Sequence, residues 1–279
     1  MTILLVIILV ITTVFIYLAI PGGRLYRQYE NDVQLSLNEL VRPQQNLLFT
    51  DETIEDLPIP VQKYLSHCGY MGTPLMEHMY LECLDVVFTI SQGQNPIKIR
   101  YEQNNFVARP DRHAFVDARI FGIPLHGKDT ITNGEGSMTI ILAKLFSLGQ
   151  STGREMSQSQ LVTALADAVF MPSLFLQDYV TWRSIDETHA ECTIMWGGLT
   201  ASGIFTFNEL GEIIRFDTND RFYDDNKVSI NLPWTAELGS YEMIDGFLRP
   251  GSIEIYWHMP DGSLYSYFEC DNYSVRFLH

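Results

Sequence analysis

Residues 112–146 read RHAFVDARIFGIPLHGKDTITNGEGSMTIILAKLF. Three runs of period-two character, 112–121, 124–132 and 136–146, are separated by Gly122 to Pro124 and by Asn133-Gly134. Each separator has a backbone reason to be there. Glycine and asparagine tolerate left-handed conformations, and proline fixes φ. Side chains of a strand alternate between faces, so the runs predict strands. The short gaps leave no room for a crossover, which makes neighbouring strands antiparallel.

Working outward, the same reading predicts strands at 77–90 and 96–108, with turns at Gln92-Gly93-Gln94-Asn95 and Arg109-Pro110-Asp111. Further strands are expected at 179–185, 189–196, 199–207, 212–219, about 226–230, 240–244, 251–258 and 263–278. Asn208 to Gly211 and Met259-Pro260-Asp261-Gly262 are turns of the same chemistry. One helix interrupts the series over 157–171. Ser157-x-x-Gln160 reads as a capping box, Leu161, Leu165, Ala168 and Val169 share one face, and Pro172 ends it. An earlier helix starts at Pro60, buries Val61, Tyr64, Leu65 and Cys68, and stops at Gly69. There is no βαβ rhythm. The expected fold is α+β and mainly β: one large curved antiparallel sheet with one or two helices on its concave face. The 157–171 helix, too short to be stable alone, is expected to lay its apolar stripe against that face.

The amino terminus is different in kind. Ile3 to Ile20 is an uncharged run of eighteen residues, about 27 Å long as a helix, closed by Pro21-Gly22-Gly23. It has neither a basic leader nor a small-residue cleavage site, so a transmembrane anchor is expected rather than a signal peptide. Arg24 and Arg27 follow it and lean the rest of the chain towards the cytoplasmic side. Residues 1–22 are thus read as the anchor, 23–54 as a juxtamembrane connector, and 55–279 as a single β-rich domain. In the connector Val33, Leu37 and Leu40 fall at helical spacing, and Arg42-Pro43-Gln44-Gln45-Asn46 breaks the helix.

The formal net charge of −16 and the absence of any Lys/Arg run argue against a nucleic-acid partner. Cys68, Cys83, Cys192 and Cys270 lie outside metal-ligand spacing, and no two histidines stand at clamp spacing, so no metal is predicted. Buried free thiols are the expectation, with two disulfides open if the domain lies outside the cytoplasm. Phosphate-loop and dinucleotide fingerprints are absent, and no cofactor is predicted.

Catalytic signals are weak. Gly149-Gln150-Ser151-Thr152-Gly153 matches a nucleophile elbow, but the helix expected at Ser157 starts too late for that motif. Asp129, Glu135 and His126 sit one hairpin apart, where carboxylates could share acid–base work or simply be turn and surface groups. Asp111-Arg112 and Asp220-Arg221 read as surface charges near turns. Aromatic residues crowd the last third, among them Phe205, Phe216, Trp234, Trp257 and Tyr267. A curved sheet crossed by a helix can leave an apolar cleft, with Leu161, Leu165, Trp234 and Trp257 as the expected ligand-binding residues.

Several segments in order carry a resemblance. They are Leu57-Pro58-Ile59-Pro60-Val61-Gln62-Lys63-Tyr64-Leu65, Lys128-Asp129 with Gly134-Glu135-Gly136-Ser137-Met138, and Gly153-Arg154-Glu155. Met171-Pro172-Ser173-Leu174, Trp182, Arg221-Phe222-Tyr223, Pro233-Trp234 and Gly246 to Pro250 follow, and Trp257 and Asp261-Gly262 with Tyr265 close the series. Over about 55–278 the chain resembles an uncharacterised family of bacterial membrane-anchored proteins, with Lys128 where Arg is expected and Phe170 where Trp is expected. The resemblance implies a shape similar to the half-barrel of bacterial lipoprotein carriers, which hold acyl chains against a curved sheet. It brings no activity. The leading expectation is a membrane-anchored module that binds a lipid or other apolar ligand. A structural or interaction protein of the cell envelope is the alternative, and a hydrolase using Asp129, Glu135 or Ser151 comes third.

Overall fold

A computed structural model describes residues 2–40, 47–225 and 228–278. The first half of the sheet is a meander: β1 (His78–Phe88), β2 (Ile97–Phe106), β3 (Arg112–Ile120), β4 (Ile123–Thr132), β5 (Glu135–Leu142) and β6 (Phe146–Thr152). The second half comprises β7 (Val180–Ser184), β8 (His189–Trp196), β9 (Leu199–Phe207), β10 (Ile213–Thr218), β13 (Trp234–Leu238), β16 (Ile253–His258), β17 (Leu264–Cys270) and β18 (Tyr273–Leu278). Two hairpins stand apart, β11 (Phe222–Asp225) with β12 (Val228–Asn231), and β14 (Tyr241–Ile244) with β15 (Phe247–Pro250).

The fourteen sheet strands run in the order β6-β5-β4-β3-β2-β1-β17-β16-β13-β10-β9-β8-β7, with β18 also on β1, and every pairing is antiparallel. The seam between halves is β1. Its residues 78–83 pair β18 and its residues 87 and 88 pair β17, with an irregularity between Cys83 and Val86 at the left-handed Asp85. One strand can so join two partners along a single edge. Across the sheet, the turn after β4 meets the turn after β8. A Cβ at Gly134 would lie 2.8 Å from the Gly197 Cα, so only glycine permits the contact.

Among the described residues five α-helices accompany the sheet: α1 (Thr2–Ala19), α2 (Arg24–Asn38), α3 (Asp51–Ile54), α4 (Ile59–His67) and α5 (Arg154–Ala166). The main core lies between α4, α5 and the sheet and includes Tyr64, Leu65, Leu161, Leu165, Phe205 and Trp234. The connector helix has its own site. α2 lies on the other face of the sheet, where Leu25, Tyr29 and Val33 pack around Phe115. Tyr29 Oη accepts from Asn104 Nδ2 at 2.8 Å, Ser36 Oγ pairs with His113 Nε2 at 2.9 Å, and Lys128 pairs with Asp32. Phe49, also within the expected connector, is fully buried in the main core.

The central helix departs from the sequence reading at both ends. It starts at Arg154, and Ser157 is inside it rather than capping it. Ser157 Oγ donates to Gly153 O and accepts from Gly136 N, each at 2.8 Å. A Cβ at Gly136 would lie 2.6 Å from Ser157 Cα, so glycine there lets the helix lie on β5. The α-helix ends at Ala166 and tightens into a 3-10 turn over Asp167–Val169. Pro172 opens a second such turn, Pro172–Leu176, rather than closing the helix. β6 reads as a loop in the sequence because it is an exposed edge strand with no buried face to impose alternation. The long run 263–278 is two strands divided at Asp271-Asn272. Residues 226–227 of the expected 226–230 strand, and the Arg42–Asn46 helix break, lie outside the described residues.

Helix α1 presents its apolar side chains outward, with Ile3 78% and Leu9 66% exposed. Among the described residues no helix is long and apolar enough to cross a membrane, and α1 ends at Ala19. The expected transmembrane span is therefore not among the features the structure shows.

Candidate functional site

Under α5 the concave face is incompletely filled, leaving a cavity of about 260 Å³. The strand period sets its lining. Residues 112, 114, 116 and 118 of β3 share the inner face with 125, 127, 129 and 131 of β4. α5 contributes Met156, Ser159, Gln160, Thr163 and Ala166. The cavity has a charged end and an aromatic end.

The charged end is built on Arg112, a buried residue at the start of β3. Its Nε donates to Asp167 Oδ2 at 3.2 Å and Gln103 Oε1 at 3.1 Å. Its Nη1 donates to Asp129 Oδ2 at 3.0 Å and Gln160 Oε1 at 2.8 Å, and Nη2 donates to the Tyr101 hydroxyl. Asp167 also accepts from Gln103 Nε2 at 2.8 Å and Asn105 Nδ2 at 3.1 Å. Burial raises the Asp167 pKa, and Arg112, Asn105 and Gln103 oppose the rise. Burial works against the Arg112 charge, but Tyr101, Asp129 and Asp167 outweigh it and push that pKa up. All three N–H-bearing groups of this guanidinium already have acceptors. The cluster is closed on itself, with two carboxylates around one cation.

The aromatic end contains Phe216, Trp234, Trp257 and Tyr267. Trp234 Nε1 donates to Tyr267 Oη at 3.0 Å, so its ring is held by its edge. Arg221 lies over the Trp234 ring at 4.7 Å from the centroid and over Trp257 at 5.7 Å. The β11–β12 hairpin is held to α5 by Phe222 N donating to Ser159 Oγ at 2.9 Å.

Trp234 and Trp257, expected at a ligand site, line this cavity, whereas Leu161 and Leu165 are fully buried and lie outside its lining. Asp129 faces the cavity. His126 belongs to the opposite face of β4, is buried against Phe115, and pairs with Asp117 at 3.3 Å. Glu135 opens β5 on the surface, in a separate polar groove. The three are not brought together. Helix α5 does begin directly after Gly153, so a strand-turn-helix order exists around Ser151. Ser151 is nevertheless a strand residue, its Oγ donates to Asp224 Oδ2 at 3.1 Å, and among the described residues no imidazole is its partner. Among the described residues no three His, Cys, Asp or Glu side chains are grouped to hold a metal. All four cysteines are buried and free, and burial pushes the Cys68 thiol up to about 12.

Asp111 and Arg112 are 1% and 2% exposed, not surface groups, and Arg221 lines the cavity. The signal for Arg112 was present in the pattern: it is in phase with Ala114, Val116 and Ala118.

A family model covers residues 47–270, from the segment before α3 to the end of β17. The chain belongs to DUF6544, a family of unknown function. No curated protein matches this DUF6544 chain. Among solved structures, a DUF1329 family protein from Desulfovibrio piger is similar at 12% identity, with 72% of this chain and 86% of that chain covered and a TM-score of 0.39. A LolA superfamily protein from Nitrosomonas europaea is similar at 12% identity, with 80% and 95% covered and a TM-score of 0.41.

Proposed function

We propose that this DUF6544 domain holds one apolar chain in the cavity beneath α5 while tethered to a membrane by α1. The observation that carries the reading is the cavity itself, concave and walled by aromatic and aliphatic side chains with a few polar groups at its two ends. At about 260 Å³ it falls just below the usual small-molecule range of roughly 300–1,000 Å³, which favours a single chain over a multi-chain lipid.

The membrane part rests on α1 and on what surrounds its end. Lys144 Nζ donates to Tyr17 O at 3.0 Å and also to Ile20 O, fixing the helix end to the β5–β6 turn. Phe121, at the neighbouring β3–β4 turn, is 100% exposed, and Leu145 and Phe146 are 67% and 64% exposed. Large apolar side chains gathered at one end of a sheet suit a bilayer interface better than water. Arg24 and Arg27 after α1 support a cytoplasmic placement. The same exposed tips also support the second reading, an interaction protein of the cell envelope, with a protein rather than a bilayer against Phe121 and Phe146.

Native mass spectrometry of detergent-extracted protein, with titration of the fluorophore 1-N-phenylnaphthylamine, tests the proposal. One co-purified or titrated apolar molecule per chain is expected, and Ala236→Trp, which fills the cavity, should abolish it. Stoichiometric binding that persists in a folded Ala236→Trp protein would place the ligand elsewhere. No binding at all would leave the interaction reading.

A further inference from the structure

We propose that the chain held in the cavity ends in an anionic head, a carboxylate or phosphate monoester, and that Arg221 receives it. The inference deepens the proposed function and rests on it. The cavity has two guanidinium groups, and they are in opposite states. Arg112 spends Nε, Nη1 and Nη2 on Gln103, Asp167, Asp129, Gln160 and Tyr101. Two carboxylates against one cation give that end no attraction for a further anion.

Arg221 makes no ion pair among the described residues. Its Nη1 donates to Ser159 O at 3.2 Å and to Thr163 Oγ1, which anchors that corner of the guanidinium to α5. Its Nε is buried and has no acceptor. Nε and Nη2 form one edge of the planar fork, the edge that pairs bidentately with a carboxylate or phosphate. A buried N–H without an acceptor costs more than an exposed one, so this edge is where an oxyanion gains most. The Trp234 and Trp257 faces hold the plane of the fork without supplying any acceptor. Asp224 is the described carboxylate of the cavity wall nearest in sequence, and it is engaged by Ser151 Oγ at 3.1 Å and Ser229 Oγ at 2.7 Å. The head would thus lie at the aromatic end, with the tail directed along Leu81, Ile99 and Phe268.

Binding of cis-parinaric acid and of its methyl ester to the full chain, read by fluorescence, tests this. The acid should bind about 10- to 100-fold more tightly than the ester. Arg221→Gln should erase that difference. Arg221→Lys, which keeps the charge but loses the fork, should retain only part of it. Dodecanoate or dodecyl phosphate should displace the ester better than dodecanol, and the stronger of the two names the head. Equal binding of acid and ester by the unaltered protein would overturn the proposal while leaving the cavity reading intact. So would an acid preference that survives Arg221→Gln. Failure of acid, ester and alcohol alike would instead overturn the cavity reading. Equal binding of acid and ester by the unaltered chain would overturn the anionic head even if the variants do not fold.

Discussion

Replacing Arg112 by methionine keeps an unbranched stem but shortens the side chain, and it removes the charge and all five of its hydrogen bonds. Asp129 and Asp167, 17% and 16% exposed, then face each other's field with no cation. At 3.0 and 3.2 Å, and an effective dielectric near 20, each pairing carries roughly 5 kcal/mol of Coulomb energy before desolvation is subtracted. Measured losses on breaking a buried pair are smaller, about 3–5 kcal/mol, and that is the expected cost at pH 8. The cost should depend on pH with a definite sign. Burial already holds the Asp167 pKa above its usual 3.8, and loss of Arg112 removes the main opposing influence. The folded variant would bind a proton over a pH range where the unfolded chain does not, so its stability rises as pH falls through that raised pKa. Asp167→Asn in the Arg112→Met background should recover part of the loss at pH 8 and flatten the pH dependence. Urea unfolding followed by tryptophan fluorescence, between pH 5 and 8, measures both. A loss under about 1 kcal/mol at pH 8, with no pH dependence, would show that the cluster is not the closed ion network described.

Leu165 is fully buried against the sheet, and Leu165→Ala should cost about 2–5 kcal/mol in the same urea assay without changing acid or ester affinity, since it lies outside the cavity lining. Ser151→Ala should change stability by no more than about 0.5 kcal/mol, and a fluorophosphonate probe should leave Ser151 unlabelled, because the hydroxyl meets Asp224 and no imidazole. His113, under α2, has its pKa lowered from 6.5 to about 4 by burial, with Lys128 and Arg112 adding to the effect and Asp32 opposing it. Its ring should stay neutral in NMR titration until about pH 4. Between pH 6.5 and 4 the unfolded chain binds the proton and the folded one does not, so this group alone removes about 3 kcal/mol as pH falls through that window. A His113 midpoint near 6.5 would contradict its burial beneath α2.

How much was legible depended on whether one face of a segment was buried. β3, β4 and β5 have an inner and an outer face, and their alternation and turns placed them to within a few residues. β6 has two open faces, so nothing in Gly149-Gln150-Ser151-Thr152 distinguishes it from a loop. The start of α5 is hidden in the sequence because Ser157 has the chemistry of a cap, while the position it occupies is set by Gly136 and Gly153 through tertiary approach. Trp234 and Trp257 stand out as large apolar residues in the aromatic-rich last third, although Trp234, on β13, falls in no predicted strand. Arg112, Asp167 and Arg221 do not stand out, because a charged residue beside a turn is normally solvated. Only the partners from β2, β4 and α5, nine to sixty-four residues away in sequence, make them inner residues.

The meeting of Gly134 and Gly197 has a mechanical side. These turns belong to opposite wings of the sheet, so the sheet is bent like a C-clamp whose jaws already rest on each other at one corner. Backbone against backbone is a hard stop: the wings cannot fold further inward, and the space under α5 cannot be squeezed shut from that corner. The space can still be widened by parting those jaws or by lifting the β11–β12 flap, whose fastenings to β6 and α5 are a few side-chain hydrogen bonds rather than a strand ladder. The flap is the weaker of the two closures, and it carries Arg221 at its hinge.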